Sequence, residues 1–137
     1  QVEALNRFPF TSVLVAVSVL DHFIASFAEE FLPVANAKGV ATIGMKVLAL
    51  GKLGHLYDCA LRYTLGLPIS TAIVGMESME QLERNLAVAE NYSPLSDAEK
   101  LELYREVLPL VQPQVVRWKA DDFKNPNDFR SRVRVAS

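Results

Sequence analysis

Residues 69–90 read ISTAIVGMESMEQLERNLAVAE, and the order of residue types in this stretch decides the fold. Ile69 to Val74 is a short β-branched run, which fits a pleated, half-buried strand. Gly75 to Ser78 turn the chain, and Ser78 with Gln81 makes the Ser-x-x-Gln box whose side chains satisfy the open backbone donors of a helix start. A strand handed directly to a capped helix is one βα unit. Upstream the same text occurs twice more, since Val40–Lys46 and Val13–Val19 are β-branched runs, each followed by a helical stretch. The three runs begin at residues 69, 40 and 13, the spacing of a strand plus a crossover helix, and such a crossover makes neighbouring strands parallel. The sequence therefore predicts a parallel sheet of three βα units.

Further signals bound the helices. Ser26 with Glu29 and Ser96 with Glu99 repeat the capping box. Gly39 and Gly66 stand where the preceding helices should end, and both are expected to take the left-handed conformation of a residue just past a helix. Pro33 falls inside the first helix, where it removes a backbone hydrogen bond and is expected to bend the chain. After Ser78, Met79, Leu82, Leu86 and Ala89 recur at spacings of three and four, which predicts an apolar stripe against the sheet with Glu80, Glu83 and Arg84 outward. Beyond Pro109, residues such as Pro113, Asp121, Asp122, Asn125, Pro126 and Asn127 break the periodicity. Residues 1–110 are read as the βα units with a C-terminal helix, and 111–137 as an irregular tail.

Half of the 137 residues are apolar and 22% are charged, a globular balance that supports one core and not two. Fourteen basic against sixteen acidic residues leave a formal charge of −2, without the basic excess that nucleic acid or an anionic membrane surface rewards. The lone Cys59 forms no internal disulfide, and His22 and His55 stand too far from it and from each other for a metal-ligand spacing. Arg7 followed by Phe8–Leu20 has the outline of a signal-peptide core. Pro9 and the alternating Val13, Val15, Val17 and Val19 fit a buried strand better, and the stretch is shorter than the roughly twenty residues of a membrane span.

Three strands leave two sheet edges open. The run from Val13 is as apolar as an interior strand and has no lysine, proline or bulge to blunt its edge, so it is expected to pair with more sheet. Either further βα units precede Gln1, or the chain is a self-contained three-stranded module that dimerises by its edges. The first needs fewer assumptions, because a repeated βα unit builds the eight-fold barrel. The expected fold class is α/β, the C-terminal part of a (β/α)8 TIM barrel.

In such architectures ligands gather at the carboxyl ends of the strands, so the loops after the three runs hold the candidate chemistry. The first carries Ser18, Asp21 and His22. One short loop rarely aims three such side chains into a triad, and the plainer reading is turn and helix-entry residues. The second, GMKVLALGKLGH from Gly44 to His55, has Lys46 at the strand end with Gly51 and Gly54 freeing the backbone. It suits either a phosphate cradle or a flexible connection, and it lacks the Ser or Thr after lysine that a P-loop needs. The third, Gly75–Ser78, joins backbone donors to the positive end of a helix, an arrangement that draws anions, although Glu77 and Glu80 would repel a phosphate while steadying the bare helix end. Cys59, beside Ala60 and Leu61, reads as a small buried hydrophobe, and Arg130, Arg132 and Arg134 as solvated charges. Nowhere do paired proton-transfer groups stand out.

The segments IVGMESMEQLERNLAVAE (Ile73–Glu90) and FAEEFLPVANAKGVATIGMKVL, with Pro33 and Gly39, resemble the C-terminal part of the aldo/keto reductases, nicotinamide-dependent oxidoreductases on an eight-fold βα barrel. The resemblance spans about Val2 to Lys100 and implies that the three strands are the sixth, seventh and eighth. The family's catalytic Asp, Tyr, Lys and His would then lie upstream of Gln1, so no catalytic residue is expected in this chain and alone it should be inactive.

What the resemblance places here is NADP or NAD binding. Met45 falls where the family often stacks an aromatic ring on the nicotinamide, and Leu14 where a glutamine often bonds the carboxamide. Both depart from the pattern; methionine still packs on a flat ring, whereas Leu14 loses a polar contact. Lys46 and Leu48 fall over the pyrophosphate. Gly75, Met76, Glu77, Ser78 and Gln81 fall on the stretch that grips the adenosine 2′-phosphate, here without two of its cations. Asn85 keeps the adenine contact, and Arg84 replaces a carboxylate, where it can stack on the base or reach a phosphate. The implied partners are a nicotinamide dinucleotide, a small carbonyl substrate and the N-terminal part of the same barrel, with no nucleic acid, membrane or metal. The alternative is a barrel that binds nucleotide without chemistry, as a regulatory subunit. Trp118 is a candidate for the substrate pocket, and the compartment stays at a cytoplasmic default.

Overall fold

The computed structural model describes residues 1–24, 26–112 and 115. The expected tail lies outside the described residues apart from positions 111, 112 and 115, and with it Trp118, Arg130, Arg132 and Arg134. A short helix, α1 (Val2–Arg7), precedes β1 (Ser12–Ala16), which leads through a 3-10 turn at Val19–Phe23 to α2 (Phe27–Glu30) and α3 (Leu32–Ala37). Then come β2 (Ala41–Met45), α4 (Tyr57–Leu65), β3 (Thr71–Ala72), α5 (Met79–Glu90) and α6 (Asp97–Val107). The sheet is parallel in the order β1-β2-β3, with Leu14 opposite Ile43 and Ala16 opposite Met45, then Ile43 opposite Thr71. This is the three-unit α/β architecture the β-branched runs predict.

β3 is shorter than the run Ile69–Val74 suggests. It pairs only with β2, and β2 stops at Met45, because Lys46 has φ of 62° and turns the chain out of the ladder. Hydrogen bonds from Ser70 N to Thr42 O and from Ile73 N to Gly44 O still hold its flanks.

Pro33 acts as expected, with a sharper result. The predicted single helix is two, α2 and α3, meeting at Phe31, and Pro33 sits in the first turn of α3, where its missing N–H costs nothing. Gly39 has φ of +67°, as its position after α3 predicts. Gly66 does not, with φ of −80°; a Cβ there would stand 3.1 Å from the Tyr92 hydroxyl, so a larger residue requires that side chain to give way. Ser26, Ser78 and Ser96 all cap helices with their side chains, and Ser96 with Glu99 closes a complete capping box.

Helices cover one sheet face only. Val15 and Val17 pack with Leu5, Phe31, Leu32 and Ala35, while Ala72 and Val74 pack with Val47, Tyr57, Leu61 and Val88. The largest cluster joins the turn after β1, through Val19, Leu20, Phe23 and Ile24, to Ala49, Leu53, Ala60, Leu103 and Val107. The alternate residues point to the opposite face, which no helix covers, and there Leu14 is 56% and Ile73 51% exposed. Among the described residues, β1 pairs only with β2, so its outer edge has no strand partner.

The stripe on α5 is turned from its expected direction. Met79 is 67% and Leu86 51% exposed, while Gln81, Leu82, Asn85 and Val88 face inward, half-buried. In this orientation Arg84 and Asn85 reach Asp58 and Tyr57 of α4, and Val88, outside the predicted stripe, joins the packing against Tyr57 and Leu61.

Arg62 of α4 clamps the segment before α6. It donates to Ser93 O at 3.0 Å and Pro94 O at 3.2 Å, and pairs with Glu99 at 2.8 Å. The Arg62 hydrogen bond, followed by the Ser96 backbone and hydroxyl, pulls the Glu99 carboxyl down to about 2 from its ordinary 4.5. A depressed folded-state value stabilises above the unfolded one and is lost as pH falls through the window. Thermal melts from pH 6 to pH 2.5 should show Glu99→Gln less stable than the parent above about pH 5, the gap closing towards pH 2. A gap that stays constant over that range would exclude this linkage.

Among the described residues, no helix is long and apolar enough to cross a membrane, and no group of three His, Cys, Asp or Glu is placed to hold a metal ion.

Candidate functional site

A cleft of about 870 Å³ opens at the carboxyl ends of β2 and β3. Its lining includes Met45, Lys46 and Leu48 on one side and Gly75, Met76, Glu77, Ser78, Gln81 and Arg84 on the other. The structure thus brings together nine of the ten candidate residues. Asn85, the tenth, lies outside the lining and bonds to Tyr57, which is part of it. Leu14 is apart, on the uncovered sheet face.

The first wall follows from backbone handedness. Lys46, Ala49, Leu50 and Gly51 have φ of 62°, 47°, 57° and 84°, an uncommon density of left-handed residues that folds residues 46–54 into a tight shelf. Ala49 and Leu53 anchor this shelf in the core, leaving Leu50, Gly51 and Gly54 at the cleft. Lys46 makes no ion pair with any described residue, which leaves its charge for a ligand.

The second wall is the start of α5. Ser78 Oγ accepts from Gln81 N at 3.2 Å, and Gln81 Oε1 accepts from Glu77 N at 2.7 Å. Gln81 thus holds the turn one residue earlier than a standard capping box would. A Cβ on Gly75 would meet nothing within 4 Å, so the chain there borders open space. Glu77 and Glu80 line the same end and set carboxylates where the helix start is positive.

The third wall joins α4 to α5. Arg84 Nε donates to Asp58 Oδ1 at 2.8 Å, and its guanidinium carbon stands 4.4 Å from the centre of the Tyr57 ring. The hydrogen bond to Asp58 raises the Arg84 pKa further above its ordinary value, so the group is a permanent cation. The Tyr57 hydroxyl donates to Asn85 Oδ1, which leaves Asn85 Nδ2 as a buried donor with no partner among the described residues. Sequence reasoning missed Tyr57, Asp58 and the apolar Val47, Leu50, Ile73 and Val74 of the wall. Tyr57-Asp58 directly after the glycine-bearing loop was the available signal.

The residues after β1 do something else. Asp21 Oδ2 accepts from Ser26 Oγ at 3.3 Å and from Ala28 N at 3.0 Å, tying the turn to α2. His22 stacks on Tyr104 at 4.3 Å between ring centres, with its Nδ1 3.4 Å from Glu29. Burial pushes the hydroxyls of Tyr63 and Tyr104 above their ordinary values, and their rings meet edge-on at 6.2 Å in the aromatic packing of α6. The plainer reading of Ser18, Asp21 and His22 holds. Cys59 is half-buried against the main core cluster.

The cleft thus sets a lysine with no ion pair to a described residue opposite an open glycine turn at a helix start. No family model and no curated protein matches the chain. Among solved structures, it is similar to aldo-keto reductase AKR11C1 from Bacillus halodurans in its holo form, with a TM-score of 0.59 and 22% identity over 75% of this chain and 44% of that one. The apo form of the same enzyme gives 0.58 and 22% over 75% and 45%. The chain therefore spans less than half the length of the structures it matches. In fold, then, it resembles part of an aldo-keto reductase: an α/β chain of three parallel βα units like a segment of that (β/α)8 barrel.

Proposed function

We propose that the chain contributes the dinucleotide-binding side of an aldo-keto reductase barrel, whose complete protein reduces aldehydes or ketones. The observation that carries this reading is the single cleft that gathers residues from two βα loops, in a chain with that fold. When bound, the nicotinamide supplies hydride to a carbonyl carbon. On this chain's side, Met45 packs against the flat ring and Lys46 offsets the diphosphate charge. The turn Gly75–Ser78 and Gln81 enclose the adenosine ribose, and Asn85 Nδ2 finds its acceptor on the base. The open outer edge of β1 meets further strands of the barrel, which supply the catalytic groups.

Titration of the full chain with NADH and with NADPH tests the reading. With Glu77 and Glu80 at the adenosine end, NADPH should bind no better than NADH. A preference for NADPH beyond about a hundredfold, roughly 2.7 kcal/mol, would overturn the electrostatic account. Absence of binding to either would overturn the function. One observation favours a second reading, nucleotide binding without hydride transfer: Leu14 offers no polar group to orient a carboxamide. Binding of NADH by a complete protein with no carbonyl reduction would establish it.

A further inference from the structure

We propose that Tyr57 and Asp58, at the start of α4, are positioning residues that aim Arg84 and Asn85 at the adenosine end of the ligand. This rests on the dinucleotide reading above. A free arginine side chain samples many rotamers, and here three contacts remove that freedom. Asp58 takes the Nε edge at 2.8 Å, Tyr57 lies under one face of the guanidinium at 4.4 Å, and the Tyr57 ring is itself fixed by its hydrogen bond to Asn85. What these contacts leave open is as informative. The terminal Nη groups of Arg84 make no hydrogen bond to a described residue, and Asn85 Nδ2 is a buried donor with no partner. Arg84 and Tyr57 both line the cleft. Three donor groups are thus set on one helix beside it, a match for the acceptor-rich ring nitrogens and phosphate oxygens of an adenosine phosphate.

Folding stability does not explain the arrangement. The Arg84 and Asp58 side chains are 49% and 55% exposed, and ion pairs so open contribute little to stability. Orienting a planar fork before the ligand arrives reduces the ordering that binding must impose.

The test uses the full chain, with ADP as probe of the adenosine end and NADH as probe of the whole site. Asp58→Ala should weaken ADP binding about five- to tenfold with the thermal midpoint unchanged, and Asp58→Asn, which keeps an acceptor for Nε, should restore most of it. Tyr57→Phe keeps the ring under Arg84 but frees Asn85, and should give a smaller loss. In the Arg84→Ala background, Asp58→Ala should have no further effect, because its action runs through Arg84. An Asp58→Ala loss that persists undiminished in that background, or no loss at all, overturns the positioning role alone. Failure of the unaltered chain to bind ADP and NADH overturns the dinucleotide reading and the positioning role with it.

Discussion

Exchanging Lys46 for glutamate should weaken NADH binding by about a hundredfold, close to 2.7 kcal/mol. The substitution removes a cleft cation that no carboxylate among the described residues neutralises and adds a third carboxylate to Glu77 and Glu80. Hydrogen bonds to charged groups are worth about 1.5–3 kcal/mol each, and like-charge repulsion adds to that loss. A second substitution separates charge from backbone. Lys46 holds φ of 62°, a conformation that costs an L-residue roughly 1–2 kcal/mol and glycine almost nothing. Lys46→Gly should therefore raise the thermal midpoint while binding falls about tenfold. Calorimetric titration with NADH, paired with melting curves, reads both quantities. If affinity survives Lys46→Glu within a factor of three, Lys46 does not meet the diphosphate.

Phe23→Ala should cost about 3–5 kcal/mol of folding stability, the range for emptying a large buried aromatic site. Phe23 is fully buried in the cluster that ties the turn after β1 to the shelf after β2, to α4 and to α6. Its ring meets His22 edge-on at 5.1 Å and Tyr104 edge-on at 5.6 Å, so truncation also disturbs the His22–Tyr104 stack. Native stabilities are roughly 5–15 kcal/mol, so a loss of this size removes a large fraction of the total. Urea unfolding measures it directly. A loss below about 1 kcal/mol would mean that this cluster does not hold the domain together.

The strands and helix starts were legible because their causes are local. β-branched runs mark β1 and β2, three serines with acceptors three residues on mark helix entries, and Pro33 marks a break. The cleft was legible in part for the same reason, since loops after parallel strands must converge at one end of the sheet. Illegible were features decided between elements. Gly66 looks like any helix terminus until Tyr92, from beyond α5, is found beside it. The facing of α5 brings Arg84 and Asn85 to Asp58 and Tyr57, partners 26 and 28 residues away, and no periodicity within the helix records those contacts. The resemblance named Arg84 and Asn85 but not the pair that holds them, because Tyr57 and Asp58 act through space and not through a motif.

The shelf between Lys46 and Gly51 carries one more consequence. Its torsion angles belong to the mirror image of ordinary peptide geometry, and four of its six residues share that sense. At those four positions the backbone favours glycine or a D-residue over an L-residue. Semisynthesis with D-alanine or an achiral dialkyl amino acid at an exposed position such as Leu50 would be accepted, where L-isoleucine or L-threonine would force the shelf open.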